Sequence, residues 1–237
     1  MNNIVVWDCK AGAFNIVSKL MATVTAEYRY FVDVDNDYGS MTADELKSKG
    51  LAIADKLVTN DTDCVVIADS NMSMQCISAL RNKYPEVVFV GYEPPIQHAV
   101  QYTVSEVLLL CSPFVSGKVG NVACVKVCEV EEDLLGADKP LRTVRQLLEE
   151  KLGALEGTFD CIALGNSCYW HLCDVLRGIF PAVKIFDGGD GIVSRLKKLF
   201  KRKDWGQESV LNVIFSSDSH ENSIKYCKLM GEISKYY

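Results

Sequence analysis

The chain has 237 residues, of which 49% are hydrophobic and 24% are charged, an ordinary composition for a globular protein. This length allows one large domain or two small ones. The formal net charge of −6 argues against a general surface for nucleic acid or anionic membranes, although it leaves room for a local basic patch.

The N-terminal sequence and the cysteines indicate a cytoplasmic protein. The sequence contains no run of 18 apolar residues, which a transmembrane helix would need, so we expect no membrane contact. The start, "MNNIVVWDC", lacks the basic and apolar regions of a signal peptide. Without export, the ten cysteines are expected to be reduced thiols, and most of them lie in apolar runs.

Short apolar runs alternate with segments of helical spacing along the chain. The runs that predict strands are 3–8, 27–34, 62–69, 87–92, 106–112, 119–130, 159–165, 183–189 and 209–219. The segments that predict helices are 11–24, 41–60, 72–84, 139–156, 169–180, 191–203 and 220–237. Thr42 and Glu45 predict a capping box at the start of the second helix. Such alternation is typical of parallel sheets, and it restarts after residue 102.

Each half of the chain carries a polar cluster directly after a predicted strand. The first is "IADSNMS" at 67–73, and the second is "LGNSCYW" at 164–170. In α/β proteins, ligands bind at the carboxyl ends of parallel strands. We therefore predict an α/β fold of two pseudo-symmetric lobes, each a parallel sheet flanked by helices, with an inter-lobe cleft that holds a small ligand.

Seven stretches, in order and over nearly the whole chain, carry a resemblance to a known family. Four of them are "VVWDCKAGAFNIVSKL", "YFVDVDNDYGSMTADEL", "VVIADSNMSMQCISALRNKYP" and "CIALGNSCYWHL". They resemble the glutamate racemase family of the aspartate/glutamate racemase superfamily. In the first stretch Asp8, Cys9 and Lys10 stand at the Asp, Ser and Gly of the family's Phe-Asp-Ser-Gly motif. In the second, Tyr38 and Gly39 stand at the Tyr and Gly of its Pro-Tyr-Gly.

The resemblance implies both an organisation and a kind of ligand. It implies a first lobe of residues 1–92 plus 191–237 and a second lobe of residues 93–190. It also implies a small amino-acid-like or carboxylate ligand, bound without a cofactor. The residues that it assigns to substrate binding are Asp8, Cys9, Tyr38, Gly39, Ser70, Asn71, Ser167 and Cys168.

The chain departs from the family where the chemistry lies. In the family, one cysteine thiolate removes the α-proton and a second cysteine returns a proton from the opposite face. The first position holds Asp69 or, after a one-residue shift, Ser70, and both assignments stay open. The second holds Asn166, whose amide has no titratable proton. Asp69 and Asn166 are thus the candidate catalytic positions, and we expect the two-thiol route to be lost, since one acid–base group contributes about 10²–10⁴-fold.

The charge of Asp69 also bears on the ligand. Two like charges about 4 Å apart repel by roughly 4 kcal/mol at an effective dielectric near 20. This disfavours glutamate, which carries two carboxylates, and favours a neutral or cationic ligand or none. Cys168 is a poor substitute for the missing thiol, because two residues along an α-helix turn a side chain by about 200°.

We therefore predict a glutamate racemase-like protein that does not racemise efficiently and keeps a small-molecule-binding cleft. Two alternatives stay open. The first is an active, cofactor-independent glutamate or aspartate racemase with a non-standard pair, such as Asp69 with Cys168 or Cys9. The second is a non-catalytic interaction module, for which the basic helix 195–203 is a candidate partner contact. A homodimer is also left open.

One cysteine-rich stretch raises the question of a metal. Cys161, Cys168, His171 and Cys173 lie close in sequence, but their spacing does not match the paired ligands of zinc sites. We predict no metal site there.

Overall fold

The computed structural model describes residues 1–9, 12–131, 134–135, 139–200, 208–216, 224 and 228. The chain divides into two compact units: unit 1 is Met1–Tyr92 with Gly189–Tyr237, and unit 2 is Glu93–Gly188. Three features of the sequence analysis lie outside the described residues: Lys10, the end of the basic helix at 201–203, and nearly all of the predicted closing helix.

Nine strands and eight α-helices lie in the described residues. The strands are β1 Asn2–Cys9, β2 Ala26–Asp33, β3 Cys64–Ile67, β4 Val88–Gly91, β5 Val107–Cys111, β6 Val125–Glu129, β7 Cys161–Leu164, β8 Lys184–Asp187 and β9 Val210–Phe215. The helices are α1 Phe14–Met21, α2 Ala43–Leu57, α3 Ser70–Lys83, α4 Ile96–Tyr102, α5 Pro113–Val119, α6 Leu141–Leu152, α7 Cys173–Ile179 and α8 Gly189–Leu199.

Unit 1 is built on a five-stranded parallel sheet in the order β4-β3-β1-β2-β9. The central strand β1 is buried on both faces, as expected for a parallel sheet covered by helices. Ile4 and Val6 on one face of β1 belong to a core cluster that also contains apolar side chains of α1 and α8. Helices α2 and α3 pack against each other.

Unit 2 is a four-stranded parallel sheet in the order β6-β5-β7-β8. This order repeats the first four strands of unit 1, where β2-β1-β3-β4 lie side by side. In both sheets the chain moves outward from the first strand and then returns to its other side. The predicted α/β fold of two similar lobes is confirmed, and each unit has one switch point, at β1/β3 and at β5/β7.

The helices differ from the sequence prediction in several places. Helices α4 and α5 were not predicted, because each has only seven residues and shows little helical periodicity. The predicted helix 169–180 is a 3₁₀ helix, Ser167–Leu172, followed by α7. Helix α3 begins at Ser70, two residues earlier than predicted. The predicted capping box is confirmed, since the Thr42 and Glu45 side chains each accept from the other's backbone N–H.

Candidate functional site

The two switch points have equivalent backbone geometry. At the end of β3, the Ala68 N–H donates to the Trp7 carbonyl at 2.8 Å, and at the end of β7 the Gly165 N–H donates to the Leu110 carbonyl at 2.8 Å. The next residue in each case is the N-cap of the following helix, Asp69 in unit 1 and Asn166 in unit 2. Asp69 and Asn166 therefore occupy equivalent positions. By the same register, Asp8 of β1 corresponds to Cys111 of β5 and Cys9 to Ser112.

Asp69 caps helix α3 from a buried position. Its Oδ1 accepts a hydrogen bond from the Met72 backbone N–H at 2.8 Å, the usual contact of an acidic N-cap. Ser70 and Asn71 form the first turn of α3, and both are buried. The sequence places these three residues after a buried β-branched strand, so they lie at the carboxyl edge of the sheet, next to the end of β1.

Asn166 bridges two strands of unit 2. Its Oδ1 accepts from the Ser112 backbone N–H at 2.7 Å, and its Nδ2 donates to the Ser112 Oγ at 3.0 Å. Both residues are buried, and Ser112 in turn caps helix α5 by accepting from Val115. The amide therefore joins the end of β7 to the start of α5. A cysteine at residue 166 would lack the amide's separate acceptor and donor atoms, which bond to the N–H and the Oγ of Ser112.

Asp8 lies at the end of β1 and holds the start of helix α1. Its carboxylate accepts from the backbone N–H groups of Cys9 and Ala13, each at 2.8 Å, and from the Tyr30 hydroxyl at 2.6 Å. Burial raises the pKa of Asp8 from 3.8 to about 6, against the lowering effect of these three donors. Burial, together with the negative charge of Asp8, raises the pKa of Tyr30 well above its ordinary value, so Tyr30 remains a donor.

A second buried carboxylate organises the loop after β2. Asp33 accepts from the Asn36 side chain at 2.8 and 3.0 Å and from the Tyr38 hydroxyl at 2.7 Å. The Tyr38 hydroxyl also accepts from the Trp7 indole N–H at 3.1 Å. Burial raises the pKa of Tyr38, so its hydroxyl stays protonated. Asp33 was not a predicted site residue, although its place at the carboxyl end of a buried strand is the signal that would have selected it.

The remaining predicted site residues lie on these same strand ends. The Cys9 Sγ is half-buried and donates to the Asn36 carbonyl at 3.3 Å, while Gly39 is exposed in the short 3₁₀ turn Tyr38–Ser40. Ser167 is buried and Cys168 is half-buried in the 3₁₀ helix of unit 2. Cys168 is the second residue of this helix, whose N-cap Asn166 has an extended backbone.

Cys111 is a residue at the second switch point that the sequence analysis treated as part of the core. It is fully buried, and it occupies the position that Asp8 has in unit 1. Burial raises the pKa of the Cys111 thiol to about 12. This sulfur is a neutral thiol at neutral pH and carries no charge into the site.

The structure therefore assembles two groups of predicted residues. The group in unit 1 comprises Asp8, Cys9, Tyr38, Gly39, Asp69, Ser70 and Asn71, and the group in unit 2 comprises Asn166, Ser167 and Cys168. Among the described residues, no three His, Cys, Asp or Glu side chains are grouped so that they would hold a metal ion. Within the same residues, no helix combines the length and the hydropathy that a membrane span requires.

The known proteins that are similar to this chain in sequence and in structure include glutamate racemases. No protein-family model matches the chain. The glutamate racemase of Clostridium novyi is 24% identical over 96% of this chain and 96% of its own length. The solved structure of the glutamate racemase isoform RacE1 from Bacillus anthracis has a TM-score of 0.81 at 14% identity, covering 97% of this chain and 94% of that one. The glutamate racemase of Thermus thermophilus in complex with beta-chloro-D-alanine has a TM-score of 0.78 at 18% identity, covering 98% and 93%.

The chain thus resembles glutamate racemases in sequence over nearly its whole length. Its fold is that of the solved glutamate racemase structures.

Proposed function

We propose that this chain is a glutamate racemase-like protein that binds a small amino-acid-like ligand and does not invert it efficiently. The single observation that carries the proposal is the chemistry of the two equivalent N-cap positions, Asp69 and Asn166. Inversion without a cofactor needs a base on one face of the α-carbon and a proton donor on the other. Asn166 supplies neither, because an amide has no titratable proton and because both ends of its amide group engage Ser112.

We propose that Asp69, rather than Ser70, stands at the position of the family's first cysteine. Asp69 shares its backbone environment with Asn166, since each follows a residue that donates to the neighbouring strand. A carboxylate here supports at most one-sided chemistry at an α-carbon. It also repels a second carboxylate on the ligand by roughly 4 kcal/mol at about 4 Å in an effective dielectric near 20. We therefore expect neutral or cationic amino-acid-like ligands to bind better than glutamate.

The ligand class is inferred from a relative and from the place of the polar residues. The Thermus thermophilus structure holds beta-chloro-D-alanine, an amino-acid analogue. In the present chain, buried polar side chains gather at the carboxyl ends of β1, β2, β3 and β7, where ligands bind in α/β folds. The reduced thiols expected from the sequence fit a protein that works in the cytoplasm.

A second candidate function is an active racemase that uses a non-standard acid–base pair. The relationship over 96% of the chain to a protein named as a glutamate racemase favours it. Under this alternative Asp69 would act with Cys9, which lies at the end of the adjacent strand, or with Cys168. Cys168 lies two residues after Asn166 in the 3₁₀ helix, and the Cys9 thiol hydrogen-bonds to a backbone carbonyl.

The test is to incubate the full chain in deuterated water with each enantiomer of glutamate and aspartate, and to follow both α-deuterium and chirality. The proposal expects neither exchange nor inversion, together with thermal stabilisation of the chain by a neutral or cationic amino acid. Inversion with deuterium incorporation would support the second candidate, and exchange with retention would reveal a single working base. The variants Cys9→Ala and Cys168→Ala identify the thiol responsible for inversion, and Asp69→Asn tests whether the carboxylate is the single base.

A further inference from the structure

The loop that follows β2 is attached to β1 by side-chain hydrogen bonds. We call residues 34–41 the Tyr38 loop, because the buried side chain of Tyr38 anchors it. Trp7 and Cys9 are two residues apart on β1, so their side chains lie on the same face of the sheet. The Trp7 indole N–H donates to the Tyr38 hydroxyl at 3.1 Å, and the Cys9 Sγ donates to the Asn36 carbonyl at 3.3 Å. Two neighbouring side chains of β1 thus hold the same loop.

The direction of the hydrogen bonds at Tyr38 follows from the chemistry of its partners. An indole N–H only donates, so the Tyr38 hydroxyl oxygen accepts from Trp7. The hydroxyl hydrogen therefore goes to Asp33, whose Oδ2 accepts it at 2.7 Å. Burial raises the pKa of Tyr38, so the hydroxyl keeps this hydrogen. The hydroxyl thus holds the loop, and its single hydrogen is not available to a ligand.

Trp7 departs from the motif that the chain otherwise resembles. It directly precedes Asp8, so it stands where the Phe-Asp-Ser-Gly motif has phenylalanine. A phenylalanine ring fills a core but has no N–H to donate, and it would leave the Tyr38 hydroxyl with its bond to Asp33. Trp7 is fully buried, where an N–H needs an acceptor. The bond from Trp7 to Tyr38 therefore adds a link between β1 and the Tyr38 loop that the motif does not supply.

We propose that Trp7 is a positioning residue of the binding site: its indole N–H, acting through the Tyr38 hydroxyl, fixes the Tyr38 loop before a ligand binds. The role in the site rests on the proposed function, since the loop carries Gly39, an exposed residue with a predicted ligand contact. A loop that is ordered in advance loses less conformational freedom on binding, which favours affinity. The contact lies within unit 1, so it can also be tested without a ligand.

The first test measures hydrogen exchange of the Ser40 backbone N–H by NMR in the full chain without added ligand. This N–H donates to the Asp37 carbonyl in the 3₁₀ turn at 3.3 Å, so its exchange rate reports how often the turn opens. We expect about fivefold faster exchange in Trp7→Phe, which corresponds to about 1 kcal/mol, the usual net contribution of one hydrogen bond. An unchanged rate would overturn the proposal.

A double-mutant cycle with Tyr38→Phe separates the hydrogen bond of Trp7 from the volume of its ring. Tyr38→Phe should also accelerate the exchange of the Ser40 N–H. Adding Trp7→Phe to Tyr38→Phe should then change the rate by less than about twofold, because the hydroxyl that links them is already gone. Fully additive effects would refute the proposal, since Trp7 would act through its volume. Tyr28→Phe is the matched control, because it removes a fully buried hydroxyl of unit 1 that bonds to backbone carbonyls, and it should leave Ser40 exchange unchanged.

The indole N–H resonance of Trp7 provides a direct measurement of the bond. The chain has three tryptophans, and the resonance that is missing from Trp7→Phe identifies Trp7. In Tyr38→Phe this N–H loses its acceptor, so its resonance should move upfield while the other indole resonances stay in place. If Trp7→Phe does not fold, Tyr38→Phe decides alone, because a single indole resonance should move. No moving indole resonance would contradict the proposal.

Binding of L-glutamine, a neutral amino acid, links the loop to the proposed function. Titration calorimetry should show about fivefold weaker binding to Trp7→Phe than to the wild type, and unchanged binding to Tyr28→Phe. Equal binding to the wild type and Trp7→Phe would remove Trp7 from the site, even if Ser40 exchanges faster. A wild-type chain that binds no neutral or cationic amino acid would instead overturn the proposed function, and Ser40 exchange would still decide whether Trp7 fixes the loop.

Discussion

The two units have the same strand order around their switch points but bury different chemistry there. Unit 1 buries Asp8, Asp33 and Asp69, whereas the buried polar side chains of unit 2 are Ser112, Asn166 and Ser167. Among the described residues, every buried carboxylate thus belongs to unit 1. The equivalent pairs make the contrast direct, because Asp8 corresponds to Cys111 and Asp69 to Asn166.

The same backbone arrangement therefore carries charged side chains at the strand ends of unit 1 and neutral side chains at those of unit 2. In unit 1 the carboxylates hold helix starts and a loop through charge-assisted hydrogen bonds, and burial raises the pKa of one of them, Asp8, to about 6. In unit 2 a neutral amide and a hydroxyl do the same work, and the Cys111 thiol stays neutral because burial raises its pKa to about 12. The predictions below alter one unit while the other serves as its reference.

The largest expected effect is that of Gly165→Ala. A Cβ at residue 165 would lie 2.4 Å from the Cys111 Cβ and 3.2 Å from the Leu110 carbonyl oxygen, so the backbone must shift. Unit 1 has Ala68 at the equivalent position, with the same 2.8 Å hydrogen bond to the neighbouring strand. We expect the free energy of unfolding to fall by about 3 kcal/mol, as for a severe overpacking.

The check on Gly165→Ala is urea denaturation beside Gly117→Ala. A Cβ at Gly117 in helix α5 meets nothing within 4 Å, so that change should be neutral or stabilise by up to about 1 kcal/mol. Equal stability of the two variants would contradict the close approach of β5 and β7.

The second effect is a pH dependence of the free energy of unfolding, and it comes from Asp8 in unit 1. Burial raises the pKa of Asp8 in the folded chain to about 6, above its value of 3.8 in an unfolded one. Its contribution to stability is therefore complete below about pH 3.8 and is lost as the pH rises through 6, by about 3 kcal/mol in all. The difference in unfolding free energy between wild type and Asp8→Asn, measured from pH 4 to 8, isolates this change. A difference that does not vary with pH would contradict it.

The third effect concerns the amide of unit 2. Asn166→Ala leaves the buried Ser112 N–H without its acceptor and removes one of the donors to the Ser112 hydroxyl, and we expect a loss of about 2 kcal/mol. Asn82, on the exposed side of helix α3, provides the control, since Asn82→Ala should change stability by less than about 0.5 kcal/mol. If both variants unfold at the same denaturant concentration, Asn166 does not bridge the two strands.

The smallest effect comes from making the two equivalent positions identical. Asp69→Asn removes the charge but keeps a good N-cap for helix α3. If the Asp69 carboxylate repels a dicarboxylic ligand, glutamate should bind at least about tenfold more tightly to this variant, which is about 1.4 kcal/mol of the roughly 4 kcal/mol that two charges about 4 Å apart give at an effective dielectric near 20. Calorimetric titration of wild type and variant with glutamate measures the change, and glutamine, which lacks the side-chain charge, provides the reference ligand. Parallel gains for both ligands would contradict a charge effect.

Much of the fold follows from the sequence pattern. The nine apolar runs correspond to the nine strands of the described residues, because buried parallel strands are continuously apolar and β-branched. The interval from 169 to 180 was harder, since its apolar residues occur at helical spacing while its first four residues adopt a tighter 3₁₀ geometry. Helix ends were also misplaced at α3, where Asp69 is the cap and Ser70 already lies inside the helix.

The sequence located the candidate site, but it did not predict the hydrogen bonds within the site. The polar clusters after β3 and β7 were found because they interrupt apolar strands. The partners of Asn166 and Asp8 were not found, because Ser112 lies 54 residues away in the chain and Tyr30 lies 22 residues away. Such contacts depend on the strand order, which local patterns do not encode. The assignment of ligand-binding roles to Cys9, Gly39 and Cys168 remains a prediction.

The central claim is that the equivalent positions Asp69 and Asn166 do not support inversion of an amino acid. The most direct measurement is the chirality and α-deuterium content of L-glutamate incubated with the full chain in deuterated water, with the Clostridium novyi glutamate racemase as the positive control. The account predicts that the glutamate stays L and undeuterated, as in buffer alone. Accumulation of α-deuterated D-glutamate would contradict it.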